Sequence, residues 1–227
     1  MRGGNLITEK TKDIFYFLTN KYRNHLSKSA QKIVGDNQQK KIVDITIIRT
    51  PLNKNIITVG NLLTHNDLDK ARQELKYDNL YHLYSIITFD DGTKILYEKN
   101  QVPNISYNLP KKTTGTKELK VDGVETKKLT ILEYIKRGVK KMGNVRYLTY
   151  KLNGKGKSTC QSFQLEHLNA NGLSTPELEK FIEQDSDTLL RNLPGIPNKI
   201  KDVILDFAGR ADILINGRGK KKINKRL

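Results

Sequence analysis

Between Tyr81 and Glu98 the chain has little choice of conformation. Tyr81 to Phe89 and Thr93 to Glu98 are rich in β-branched and aromatic residues, and Asp90-Asp91-Gly92 between them supplies the turn chemistry of a β-hairpin. Period-two alternation puts His82, Tyr84, Ile86 and Thr88 on one face of the first arm and Lys94, Leu96 and Glu98 on one face of the return arm. With the turn centred near Asp91, Glu98 falls opposite Tyr84 and diagonal to His82.

The rest of the chain offers neighbours for this hairpin. Ile42 to Ile48 reads as a buried strand that ends before Pro51, which cannot donate to a ladder. Lys117–Val121 and Val124–Lys128, separated by Asp122-Gly123, predict a second, exposed hairpin, and Val145–Tyr150 predicts one more strand. Ile14, Leu18, Tyr22 and Leu26 recur at helical spacing, ahead of a polar break at Asp36–Lys41. Further helices are predicted at Thr64–Leu75 and at Leu129–Met142, the latter stopped by Gly143-Asn144. Ser158 and Thr159 are good N-caps for a helix that carries Phe163, Leu165 and Leu168 and ends at Asn171-Gly172. Ser174-Thr175-Pro176-Glu177 reads as a capping box for a helix from about Thr175 to Arg191, and Asn198–Phe207 follows the break at Pro194–Pro197. The expected class is α+β, a small antiparallel sheet packed against the helix that Cys160 starts. The expected parts are a helical extension over 1–41, an α+β domain over 42–192, a C-terminal helix over 193–216 and a basic arm over 217–227.

Several classes of protein are not expected. No run approaches the roughly 18 apolar residues of a membrane span, and Met1–Lys12 lacks the apolar stretch of a secretory signal, so a chain that works inside the cell or packaged in a particle is expected. One Cys forms no internal disulfide, and one Cys with four His is too few for a Cys-rich zinc site, so neither metal nor cofactor is expected. Gly154-Lys155-Gly156-Lys157 lacks the spacing of a phosphate loop and reads as a connecting loop.

Cys160 falls in a first helical turn, where peptide N–H groups and the helix dipole stabilise a thiolate. With His82 as a base and Glu98 to orient it, the chain holds the nucleophile, base and orienter of acyl transfer. The order of His82 on a strand, an acceptor on the next strand and Cys160 at a helix start resembles the permuted papain-like fold of the NlpC/P60 superfamily. Thr159-Cys160-Gln161-Ser162-Phe163 is similar at Cys and Phe to the Asn-Cys-Glu-His-Phe motif of the lecithin:retinol acyltransferase-like branch, with Thr in place of Asn. Tyr77–Leu83, Tyr97–Asn100, Cys160–Phe163 and Phe181–Asp185 also resemble proteins encoded by large and medium double-stranded DNA viruses. The resemblance spans roughly Ile42 to Arg191. It implies that Cys160 is the nucleophile, His82 the general base and Glu98 the third polar group, in amide or ester hydrolysis or acyl transfer, with a lipid ester, a peptide amide, a peptidoglycan-like crosslink and a ubiquitin-like isopeptide all open as substrate. It also implies a virion-associated protein, a minor capsid or packaged component inside the host cell during assembly. The alternative is a catalytically silent minor capsid protein that binds capsid subunits or DNA.

Charge gives an independent expectation. Forty-one Lys and Arg against 24 Asp and Glu leave a formal +17, which calls for a polyanionic or acidic partner. Gly217–Leu227 carries Arg218, Lys220, Lys221, Lys222, Lys225 and Arg226 with no acid and reads as a disordered cationic arm for DNA or capsid protein, or equally as a solubilising or localisation tail. With duplex DNA as partner, log affinity falls by about 0.9 per neutralised phosphate for each decade of salt. Deleting Gly217–Leu227 is therefore expected to flatten the salt slope by roughly three to five units without altering sequence preference. Binding titrations of the full and truncated chains at several salt concentrations check this, and an unchanged slope assigns the arm to a different partner.

Overall fold

Alternation of apolar side chains builds a five-stranded antiparallel sheet, seen in a computed structural model that describes residues 26–51, 81–100, 102–148 and 158–183. The chain divides into two compact units, Met1–Thr50 with Leu83–Gln184, and Pro51–His82 with Asp185–Leu227. The first unit holds the core of the sheet and the helices packed on it. The strands are β1 (Ile42–Pro51), β2 (Tyr81–Phe89), β3 (Lys94–Lys99), β4 (Pro103–Ser106) and β5 (Lys117–Lys120), in the order β4-β3-β2-β1-β5.

The β2–β3 hairpin has the expected register, with Tyr84 opposite Glu98, Ser85 opposite Tyr97 and Thr88 opposite Lys94. Its turn closes with Phe89 N–H donating to Thr93 O and Gly92 N–H to Phe89 O, and Gly92 takes φ +81°, which a side chain would strain. Lys40 pairs with Asp91 at 2.6 Å, and this hydrogen bond pulls the Asp91 carboxyl down to about 2. β4, which no sequence signal announced, adds to the open edge of β3 with Glu98 opposite Asn104.

Two elements differ from the sequence expectation. The second hairpin does not form: Lys117–Lys120 pairs with the open edge of β1, Thr46 opposite Lys120 and Arg49 opposite Lys117. Val121 and Val124 are both buried, so the chain turns through Gly123 at φ +70° into a 3₁₀ turn at Glu125–Lys127 instead of extending an exposed second arm. The described part of the strand expected at Val145–Tyr150 is not extended either. Asn144–Leu148 is helical, which buries Tyr147 and leaves Val145 exposed. β1 also runs through Pro51, the residue before which it was expected to end.

The helices are α1 (Lys28–Asp36), α2 (Ile131–Met142), α3 (Asn144–Leu148), α4 (Cys160–Ala170) and α5 (Pro176–Ile182). The polar break begins where α1 ends, and α1 buries Ala30, Ile33 and Val34. Thr130 and Glu133 form a capping box on α2, which stops at Gly143, φ +78°. Thr159 and Ser162 form another on α4, whose Asn171 cap is followed by Gly172 at φ +63°. On α5 the cap is Thr175, one residue later than the expected box start, and Ser174 Oγ instead donates to Glu179 at 2.8 Å. The expected helices at 14–26, 64–75 and 198–207, the remainder of the one to Arg191, and the arm at 217–227 lie outside the described residues, apart from Leu26.

The sheet buries both faces. On the inner face Ile45, Ile47, Leu83, Ile87, Ile95 and Tyr97 are fully buried, and on the other Ile48, Tyr84 and Leu96 form a separate cluster with Ile86. α4 reaches α2 through Gly138, where a Cβ would overlap Cγ, Cδ2 and Nε2 of the His167 ring. Gly138→Ala gains helix propensity, yet forcing a methyl into this contact costs more. A net loss of about 1 kcal/mol is expected in denaturant unfolding, since overpacking a core costs roughly 1–3 kcal/mol and the propensity gain returns about 1.

Candidate functional site around the start of helix α4

α4 lies on the inner face of the hairpin through side chains at helical spacing. Ser85 Oγ donates to Gln164 Oε1 at 2.8 Å, and Gln164 Nε2 donates to Tyr97 O at 3.2 Å, so one amide bridges β2 and β3. The Phe163 ring sits 4.8 Å from that of Tyr97 and 4.4 Å from that of His167. Cys160 shares this helix face, at the N-terminal end, and is 9% exposed.

The side chain that β3 brings toward this end is Lys99. It is fully buried, and its ammonium donates to Arg146 O at 2.5 Å, Tyr147 O at 2.8 Å and Ser158 Oγ at 2.7 Å. Ser158 Oγ in turn donates to Arg146 O. The acceptors belong to α3 and to the residue two places before Cys160, so one cation joins three segments. Burial pulls the Lys99 ammonium down to about 7, with the Arg146 charge acting in the same direction and Cys160 opposing it. Arg146 is itself paired with Glu166 of α4 at 3.1 Å.

A second polar chain runs beneath. His167 Nδ1 lies 2.8 Å from Phe163 O, and a carbonyl only accepts, so Nδ1 carries the proton. Nε2 is then the acceptor for the Tyr97 hydroxyl at 2.8 Å, and Tyr147 OH lies 3.4 Å further along. Burial lowers the His167 pKa to about 4, which keeps the ring neutral.

The residues expected to carry chemistry are distributed unevenly. Cys160 is the first residue of α4 and is not in a disulfide. Glu98 is fully buried and accepts from Asn104 Nδ2 at 2.9 Å. It stands between Tyr97 and Lys99 in β3, so alternation turns it to the face of Tyr84 and Leu96, away from α4. This geometry brings Lys99, not Glu98, to the Cys160 end. His82 is the second residue of β2 and partly buried, and alternation along that strand puts it on the face of Tyr84 and Glu98, opposite the face on which Ser85 meets α4. Arg218, Lys220, Lys221, Lys222, Lys225 and Arg226 lie outside the described residues. Among the described residues no group of His, Cys, Asp and Glu is placed to hold a metal, and no helix is long and apolar enough to cross a membrane.

Sequence reasoning missed Lys99 and His167. The signal for Lys99 was present: Ile95, Tyr97 and Lys99 alternate on the inner face, so a lysine occupies a core position. His167 lay one helical turn beyond Phe163, with nothing in its spacing to separate it from a surface histidine.

Comparisons of the chain with protein-family models, curated proteins and solved structures find no match.

The neutral His167 makes stability depend on acid. An unfolded His titrates near 6.5 and the folded one at about 4, so between these values the unfolded chain binds more protons and stability falls as pH falls. The loss across that window is about 3 kcal/mol, because a tenfold difference in proton affinity is worth roughly 1.4 kcal/mol. Urea unfolding of wild type and His167→Gln between pH 4 and 7 checks this: the variant is expected to start less stable and to vary less across the same range.

Proposed function

We propose that this chain carries a thiol-dependent hydrolase or acyltransferase-like domain, with Cys160 attacking the carbonyl of an amide or ester. One observation carries the reading. The Cys160 thiol begins a capped eleven-residue helix with the Lys99 ammonium within Coulombic reach. Both the positive end of the helix dipole and a neighbouring cation lower the cost of a thiolate. The α+β architecture, with a hairpin ahead of the Cys160 helix, is the coarse arrangement that the resemblance to permuted papain-like domains implies; that resemblance gave the base to His82, which alternates onto the face of the sheet away from α4.

In this scheme the Cys160 thiolate attacks the carbonyl carbon, the C–N or C–O bond breaks and the amine or alcohol leaves with a proton drawn from water, and water or an acceptor then cleaves the thioester and returns the thiol. The resemblance gave Glu98 the third role; its place on the opposite face of β3 favours Lys99 as the charged neighbour of the thiol. The viral resemblance makes a virion-associated, packaged or minor capsid protein the setting. A second reading, a silent module that binds capsid subunits or DNA, draws on the formal +17.

Alkylation separates the two. Iodoacetamide at pH 6 is expected to label Cys160 about tenfold faster than a model thiol, after allowing for the lower nucleophilicity of an acidic thiolate. His82→Ala and Glu98→Gln, both on the other face of the sheet, are each expected to leave this labelling within about twofold. Wild-type labelling no faster than the model thiol identifies an inert cysteine and favours the binding module.

A further inference from the structure

We propose that Lys99 is a positioning residue for Cys160: its buried ammonium ties the end of α3 to Ser158, and so sets where α4 begins and stabilises the thiolate there. This rests on the reading of Cys160 as a nucleophile. Donors and acceptors match in number at this point. An ammonium has three N–H groups, and Lys99 places them on Arg146 O, Tyr147 O and Ser158 Oγ. A neutral amine has only two, so the observed geometry uses the charged form fully. Leaving a buried carbonyl unmet is costly, which favours the three-way position while the ammonium is charged.

The anchored groups are those that determine the Cys160 backbone. Arg146 and Tyr147 lie on α3, and Ser158 immediately precedes Thr159, the residue whose hydroxyl caps α4 through the Ser162 N–H. A shift of Ser158 therefore moves the cap, and the cap moves the first turn that carries the thiol.

The groups facing Lys99 are Arg146 and Tyr147 from α3, Cys160, Phe163 and His167 from α4, and Tyr97 on its own strand. Phe163 presents its ring at 5.8 Å, His167 is neutral, and the Arg146 charge is met by Glu166. The thiolate of Cys160 is the group of this set that favours the ammonium. Favour of this kind is mutual: whatever the thiolate does for the ammonium, the ammonium does for the thiolate.

The test is the pH midpoint for iodoacetamide alkylation of Cys160 in the full chain. Lys99→Met, which keeps the length and removes the charge, is expected to move the midpoint up the pH scale by about 1 to 2, the usual effect of an adjacent opposite charge. Lys99→Arg is expected to recover most of that change. Ser158→Ala, a small change at the tether, is expected to raise the midpoint by about 0.5. Far-UV circular dichroism identifies any variant that fails to fold; in that event Ser158→Ala decides. A wild-type midpoint at that of an ordinary thiol overturns the reading of Cys160 and this assignment with it. A wild-type midpoint on the acid side that stays the same in Ser158→Ala and in every folded Lys99 variant overturns the assignment alone.

Discussion

A lysine with no exposure must be solvated by the protein itself, and the first compact unit is arranged to do that for Lys99. Its alternation partners on β3, Ile95 and Tyr97, make the inner face apolar and aromatic, so the ammonium at the end of that row has no water to fall back on. The remedy is local: two carbonyls from α3 and one hydroxyl from the approach to α4 converge on it. That requirement explains why Asn144–Leu148 is a short helix whose carbonyls turn inward, and why Ser158 is fully buried although serine suits a surface cap. Removing the cation strands those acceptors, while removing an acceptor strands a charge.

The aromatic layer below follows from the same closeness of α4 to the sheet. Gln164 matches a hydroxyl on β2 and a carbonyl on β3, which fixes the height of α4 above the hairpin. At that height His167 reaches Tyr97, and α2 can pass only where it has no side chain, at Gly138. The imidazole is a neutral spacer, accepting one hydrogen bond and donating another, and its low proton affinity follows from burial, with the Lys99 charge acting in the same direction. Polar groups in this core act as fixed-length connectors between elements, and their geometry is what makes the start of α4 a defined place for a thiol.

Much of the frame was legible in the residues. Asp90-Asp91-Gly92 determined the hairpin register to the residue, and Thr159 announced the start of α4 because a hydroxyl before a helical run has a backbone donor to satisfy. The failures have physical causes. Lys117–Lys128 looked like a hairpin because turn chemistry is local, whereas the edge of β1 that captured Lys117–Lys120 is remote in sequence. Val145–Leu148 has strand composition, but burial of Tyr147 and the demands of Lys99 decided for a helix there. At the site, Cys160 was legible from its cap and Glu98 lies opposite Tyr84 as read, but α4 packs on the other face of the hairpin, which no local signal announces. Lys99 was hidden by its type, since a lysine is assumed to face water unless its strand neighbours are read as a set.

The most direct measurement is the titration of the Lys99 side chain by NMR in chain labelled at lysine, followed before and after alkylation of Cys160. The account predicts an ammonium that loses its proton at about 7, and at a lower pH once the thiolate is blocked, because Cys160 supports the charged form. A Lys99 signal that titrates near 10.4, as a solvated lysine does, and ignores alkylation would contradict it.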